Sequence, residues 1–175
     1  GFVLVELGIG FGVLRLGIED FLDAVAEFAR RVGRRVELCH IGRQLEAESA
    51  AAIEAAVRRA GDDIRVSLRG VISHPDVLDA MRNSDVLVLA SLAETQGLPL
   101  VEAMSVGLPV VCHALDVFVE QGGDAVVAVD AEGPTAAGRL ADAITSIDGP
   151  AARAELAERA RQRAPVAAGW DLLPA

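Results

Sequence analysis

Residues 91–109 read SLAETQGLPLVEAMSVGLP, entered from the apolar run VLVLA at 86–90. Five apolar residues in a row, bounded by polar ones, read as a strand buried on both faces. Gly97 then supplies a turn, Pro99 suits the first turn of a helix, and Gly107-Leu108-Pro109 closes that helix. The stretch is a strand, a loop and a helix in succession, the unit from which parallel sheets are assembled.

The same alternation extends in both directions. Upstream, residues 2–7, 36–41 and 64–68 read as strands. Residues 18–32, 45–60 and 74–81 read as helices: Ile18, Phe21, Leu22, Val25 and Phe28 recur at helical spacing, and Pro75 opens the last of the three. Downstream, strands are predicted at 110–112 and 125–129, a helical turn or two at 116–121, and closing helices at 135–147 and 151–163. This pattern predicts an α/β fold, a doubly wound parallel sheet in one domain over residues 1–164. Such a sheet takes its ligand at the carboxyl ends of the strands. Residues 165–175 read as a C-terminal tail around Trp170, either a surface anchor or an inter-domain contact. The first strand begins directly after Gly1, which reads as the edge of a longer protein.

Composition narrows the classes. Hydrophobic residues are 52% and aromatics 3%, with no tyrosine, so the core is built from Ala, Val, Leu and Ile. The net charge of −10 argues against nonspecific nucleic-acid binding, and no polybasic segment suits an anionic membrane. All 16 basic residues are Arg, which reads as codon bias. The clusters Arg30, Arg31, Arg34, Arg35 and Arg58, Arg59 sit near helix C-termini, where they complement the dipole. Residues 1–18 are apolar, but Glu6, Arg15 and the glycines make them a strand and a loop rather than a signal or membrane segment. Cys39 and Cys112 are too far apart for a ligand motif and read as buried free thiols in a reducing, cytoplasmic compartment.

The chemistry concentrates in the opening stretch. Gly97 lets backbone approach a ligand closely. The N–H groups near Gly97 and Leu98, at the positive end of a helix, form a cradle for a pyrophosphate. Glu102, one turn in, can accept hydrogen bonds from vicinal ribose hydroxyls, and Glu94 in the loop can reach the hydroxyls of a sugar beyond the phosphates.

Glu94 and Glu102 are separated by seven residues, with Gly97-Leu98-Pro99 between them and Ala103-Met104 and Gly107-Leu108-Pro109-Val110-Val111 after. The segment resembles the E-x7-E donor motif of family 4-type retaining glycosyltransferases of the GT-B fold. The likeness extends to GIEDFLDA at 17–24, residues 36–42, Arg69-Gly70, DVLVLAS at 85–91 and residues 126–130, about 160 residues in all. It implies the Rossmann-like C-terminal, donor-binding half of a GT-B enzyme. An acceptor-binding N-terminal domain or separate subunit would complete it, and membrane association would come through that missing part. By the resemblance Glu102 holds the donor ribose, Glu94 contacts the transferred sugar, and Gly97, Leu98 and Pro99 hold phosphates and sugar. Gly8, His113 and Glu120 would complete the donor site. The resemblance implies a nucleoside diphosphate sugar as substrate and no metal or other cofactor.

The sequence departs from the family at its cations. Ile9 follows Gly8 and Leu16 precedes Gly17 where the family has Arg and Lys. Arg15 is the candidate substitute in catalysis, with Arg43 a weaker one. The alternative is a degenerate, noncatalytic partner that binds a nucleotide sugar, and a sugar-nucleotide epimerase is a third reading. Gln96 stands where the family has Phe, and Asp116-Val117-Phe118 replaces a glycine-rich stretch before Glu120. The glycines at 8, 10 and 12 lack the spacing of a dinucleotide fingerprint. His40, His74 and His113 have no ligand partner at helical spacing.

Overall fold

Strands that are apolar at every position need cover on both faces, and here helices provide it. The computed structural model describes residues 2–8, 18–42, 54, 55 and 57–168. Strand β1 (Phe2–Gly8) leads to helix α1 (Ile18–Val32), and β2 (Val36–Gly42) follows. Of the helix predicted at 45–60, the described residues 54, 55 and 57–60 are helical. Next come β3 (Ile64–Leu68), α2 (His74–Arg82), β4 (Val86–Leu89), α3 (Leu98–Val106), β5 (Val110–His113) and α4 (Asp116–Gly122). The fold closes with β6 (Val127–Val129), α5 (Ala136–Ser146) and α6 (Pro150–Ala168).

All pairings are parallel, and the six strands lie in the order β3-β2-β1-β4-β5-β6. The order reverses between β1 and β4, both of which leave the sheet at its carboxyl edge. In a doubly wound sheet this switch point is where a crevice opens.

Successive strand side chains point to opposite faces and feed two cores. Phe2, Leu4, Val36, Leu38, Val86, Val88 and Val111 pack against α1 and α5. Val5, Ile41, Leu87, Leu89, Val110 and Cys112 pack against α2, α3, α4 and α6. Each large side chain so buried contributes about 1.5–3 kcal/mol. Phe2 meets Phe28 at 5.1 Å between ring centroids, and the Arg34 and Arg153 guanidinium groups lie over the Phe2 ring at 4.7 and 5.0 Å. Arg34 therefore does more than complement a helix end. Cys112 is buried and Cys39 half-buried, both free thiols.

Two boundaries differ from the sequence reading. Residues 123–125 form a short 3₁₀ turn, so the last strand starts at Val127. Helix α6 runs to Ala168 and takes the first four residues of the predicted tail. Pro165 falls in its last turn, where a missing N–H removes one bond and leaves the earlier turns intact. Residues 169–175, including Trp170, lie outside the described residues.

Candidate functional site

Four polar residues are buried: Glu6, His40, Ser91 and His113. All four sit toward the carboxyl edge of the sheet, at or just beyond the ends of β1, β2, β4 and β5. The apolar interior thus turns polar where the sheet meets the switch point.

Glu6 is in register with Val88, so Gly8 and Ala90 leave the sheet at the same level on adjacent strands. Beyond Ala90 the chain turns through residues 91–97. Glu94 is half-buried, and its Oε1 accepts hydrogen bonds from the backbone N–H of Thr95 at 2.8 Å and Gln96 at 3.2 Å. One carboxylate oxygen therefore caps its own loop. Gly97 follows with φ 61° and ψ 25°, a left-handed conformation open to glycine without steric cost. A Cβ at Gly97 would stand 2.6 Å from Gln121 Oε1. Gln121, on α4, donates from Nε2 to the Gln96 carbonyl at 2.8 Å and so pins the loop to the next helix.

Helix α3 starts at Leu98. The Gly97 carbonyl accepts from the N–H groups of Leu100 at 3.0 Å and Val101 at 3.3 Å, and Pro99 has no N–H to offer. The N–H groups of Gly97 and Leu98 donate to no described residue. No acidic side chain occupies the first turn. Pro99 is buried, while Leu98 is 47% exposed. Free N–H groups at a helix start, with no carboxylate competing for them, suit an anionic ligand.

Glu102 stands one turn into α3. Its Oε1 lies 2.8 Å from Nε2 of His74, the first residue of α2. An ionised carboxylate can only accept, so His74 donates from Nε2. The sequence reading assigned His74 no part in the site. Only the packing of α2 beside α3 reveals it, because the two residues are 28 positions apart.

The remaining predicted residues divide. Glu94, Gly97, Leu98, Pro99 and Glu102 form one continuous strand–loop–helix, with Gly8 on the neighbouring strand. His113 is buried: its Nδ1 accepts from the Ala131 N–H at 2.9 Å, and Nε2 lies 3.5 Å from Glu132 Oε1. Both ring nitrogens thus have partners in the loop after β6. Glu120 is exposed on α4, and Arg163 donates to its carbonyl at 2.8 Å. Arg15 and Arg43 lie outside the described residues. Glu6 and His40 face each other across β1 and β2, with Glu6 Oε2 against His40 Nδ1. Their shared position in the β1–β2 register is a signal that strand pairing alone makes visible. Among the described residues, no group of three or more His, Cys, Asp or Glu is placed to hold a metal ion. None of the described helices is long and apolar enough to cross a membrane.

A depression of about 440 Å³ lies elsewhere, between α1 and α5, lined by Asp23, Glu27, Arg30, Arg59 and Gly138 among others. It is on the helical layer opposite α3, away from the carboxyl edge.

Residues 9–147 match the glycosyl transferases group 1 family. The chain belongs to that family. Among its relatives, the chain is 27% identical over 160 residues to alpha-D-kanosaminyltransferase of Streptomyces kanamyceticus, covering 89% of this chain and 39% of the relative. The fold is similar to that of WaaG, a glycosyltransferase involved in lipopolysaccharide biosynthesis (TM-score 0.73, 24% identity, 98% of this chain and 44% of that one). It is also similar to Anabaena HepE, solved with UDP and glucose (TM-score 0.74, 24% identity, 94% and 44%). The chain therefore spans about two fifths of the length of these family members, and its Rossmann-like sheet is that of a GT-B C-terminal domain.

Proposed function

We propose that the chain is the donor-binding half of a retaining glycosyltransferase, taking a nucleoside diphosphate sugar at the crevice between β1 and β4. The single observation that carries this is the Ser91–Glu102 segment at the switch point. Unpartnered N–H groups open α3 there, and a carboxylate follows one turn later. HepE, of the same fold, was solved with UDP and glucose, which fits this class of ligand. Gly97 and Leu98 hold the diphosphate, Glu102 the ribose and Glu94 the transferred sugar. An acceptor-binding part outside this chain completes the site.

In transfer, the bond from the anomeric carbon to the diphosphate oxygen breaks and its electron pair leaves with the diphosphate. The acceptor oxygen bonds to that carbon on the same face and loses its proton. Charge growing on the leaving group is stabilised by the fixed N–H dipoles of the α3 start and by Arg15 in place of the family's cations. On this reading no metal takes part. Free thiols at Cys39 and Cys112 fit a reducing, cytoplasmic setting.

Calorimetric titration with UDP, GDP and ADP and their sugar conjugates tests the reading. One nucleotide is expected to bind, and Glu102→Ala to weaken it by about 1–3 kcal/mol, the value of a charge-assisted hydrogen bond. A folded chain that binds none of them at millimolar concentration would overturn the donor-site assignment.

The absence of the family's Arg and Lys, with Ile9 and Leu16 in their places, favours one other reading, a noncatalytic nucleotide-sugar-binding partner. Nucleotide binding without turnover, with the acceptor-binding half supplied, would select it.

A further inference from the structure

The inference concerns the 2.8 Å contact between His74 and Glu102, and it rests on the proposed donor site. Glu102 has three side-chain torsions to order, which costs about 1.5–2 kcal/mol if the ligand alone must do it. In the structure that ordering is already done. His74 Nε2–H occupies Oε1 of the carboxylate and leaves Oε2 for a ligand. His74 is itself held by its helix: it is the first residue of α2, after the cap Ser73, whose Oγ accepts from the Asp76 N–H at 3.4 Å. The Glu102 side chain is 30% exposed and that of His74 64%, so the pair stands at the surface with the carboxylate the deeper member. A surface pair of this kind adds little to folding. Its geometry suits preorganisation of a binding group instead.

We propose that His74 is a positioning residue for donor binding. It orients the Glu102 carboxylate toward the vicinal hydroxyls of the donor ribose and acts through Glu102, without touching the nucleotide.

The test is calorimetric titration of the chain with whichever of UDP, GDP and ADP it binds. The variants are His74→Ala, His74→Gln, Glu102→Ala and the double variant His74→Ala/Glu102→Ala. Each is first shown to be folded by circular dichroism. His74→Ala is expected to weaken binding about three- to tenfold, the worth of one hydrogen bond. His74→Gln keeps an N–H donor and should recover most of the loss. In the Glu102→Ala background, His74→Ala should change nothing further. Independently of ligand, the His74 ring nitrogens in long-range proton–nitrogen spectra should show the Nε2–H form and shift in Glu102→Gln. Binding sensitive to Glu102 but indifferent to His74 would overturn this inference and leave the donor site standing. An equal loss from His74→Ala in both backgrounds would make His74 a direct nucleotide contact and overturn the positioning role. If Glu102→Ala has no effect, or none of the three nucleotides binds, the donor-site reading falls and this inference with it.

Discussion

Gly97 shows how one residue sets the loop. Its φ of 61° is in the left-handed region, and a Cβ would press on Gln121 Oε1. Gly97→Ala should therefore cost about 1–2 kcal/mol of stability, the price of a left-handed non-glycine residue. It should also weaken nucleotide binding. An unchanged urea midpoint would show that the loop adapts freely. The cysteines separate in the same residue-level way. Burial pushes the Cys112 thiol up to about 12, and burial raises the half-buried Cys39 as well. Since the thiolate is the reactive species, a raised value keeps the neutral thiol at pH 8. Native protein treated with an alkylating reagent should label at Cys39 before Cys112, with Cys112 labelled only on unfolding, as read by mass spectrometry. Early labelling of Cys112 would contradict its burial.

At the scale of elements, α1 and α5 are joined across their surface. Glu27 accepts from Arg30 at 2.8 Å and Arg31 at 3.0 Å, and Arg31 also pairs with Asp142 on α5. The hydrogen bonds from Arg30 and then Arg31 hold the Glu27 carboxyl below the usual carboxylate range. A lowered folded value means stability that is present above the unfolded pKa and lost as pH falls through the folded one. Glu27 is exposed, so solvent screening limits the contribution to about 0.5 kcal/mol. Glu27→Gln should cost that much at pH 7, and the difference should shrink toward zero as pH drops below 4.5, the ordinary value for the group. A difference that persisted at pH 3 would mean that packing, and not charge, is responsible. Helix α3 depends on its ends in another way. Gly107 closes it at φ 73°, its N–H donating back to Met104 O at 3.1 Å.

For the molecule as a whole, the Glu6–His40 pair is the strongest test of how the sheet is held. Both side chains are under 10% exposed, at 7% and 6%. Removing one partner from a buried pair is expected to cost about 3–5 kcal/mol, whereas replacing both by apolar groups restores much of it. His40→Ala should therefore lose about 3 kcal/mol in urea denaturation, and Glu6→Leu with His40→Leu should recover most of that. A loss below about 1 kcal/mol would place the pair among ordinary surface contacts. Ligand mapping by NMR tests the architecture. A bound nucleotide should shift Gly8, Ser91–Leu98 and Glu102, and leave Asp23, Arg59 and Gly138 in the α1–α5 depression unmoved. The reverse pattern would move the site to the other helical layer.

The sequence by itself determined the element order, the two-faced burial of the strands and the site segment. Each of these is local: apolar runs need cover on both sides, Gly97 and Gly107 mark turns, and Glu94 and Glu102 are carried by the loop and helix that their own neighbours form. It also located one end of β1 at Gly8, beside the candidate loop. What only the tertiary structure decided are the relations between distant segments. The β1–β2 register brings Glu6 to His40, the packing of α2 beside α3 brings His74 to Glu102, and α4 brings Gln121 under Gly97. The same structure gives both His113 ring nitrogens partners after β6 and carries α6 past Pro165. Such contacts follow from strand order and helix packing, which are set by the sum of many weak apolar interactions rather than by any motif along the chain.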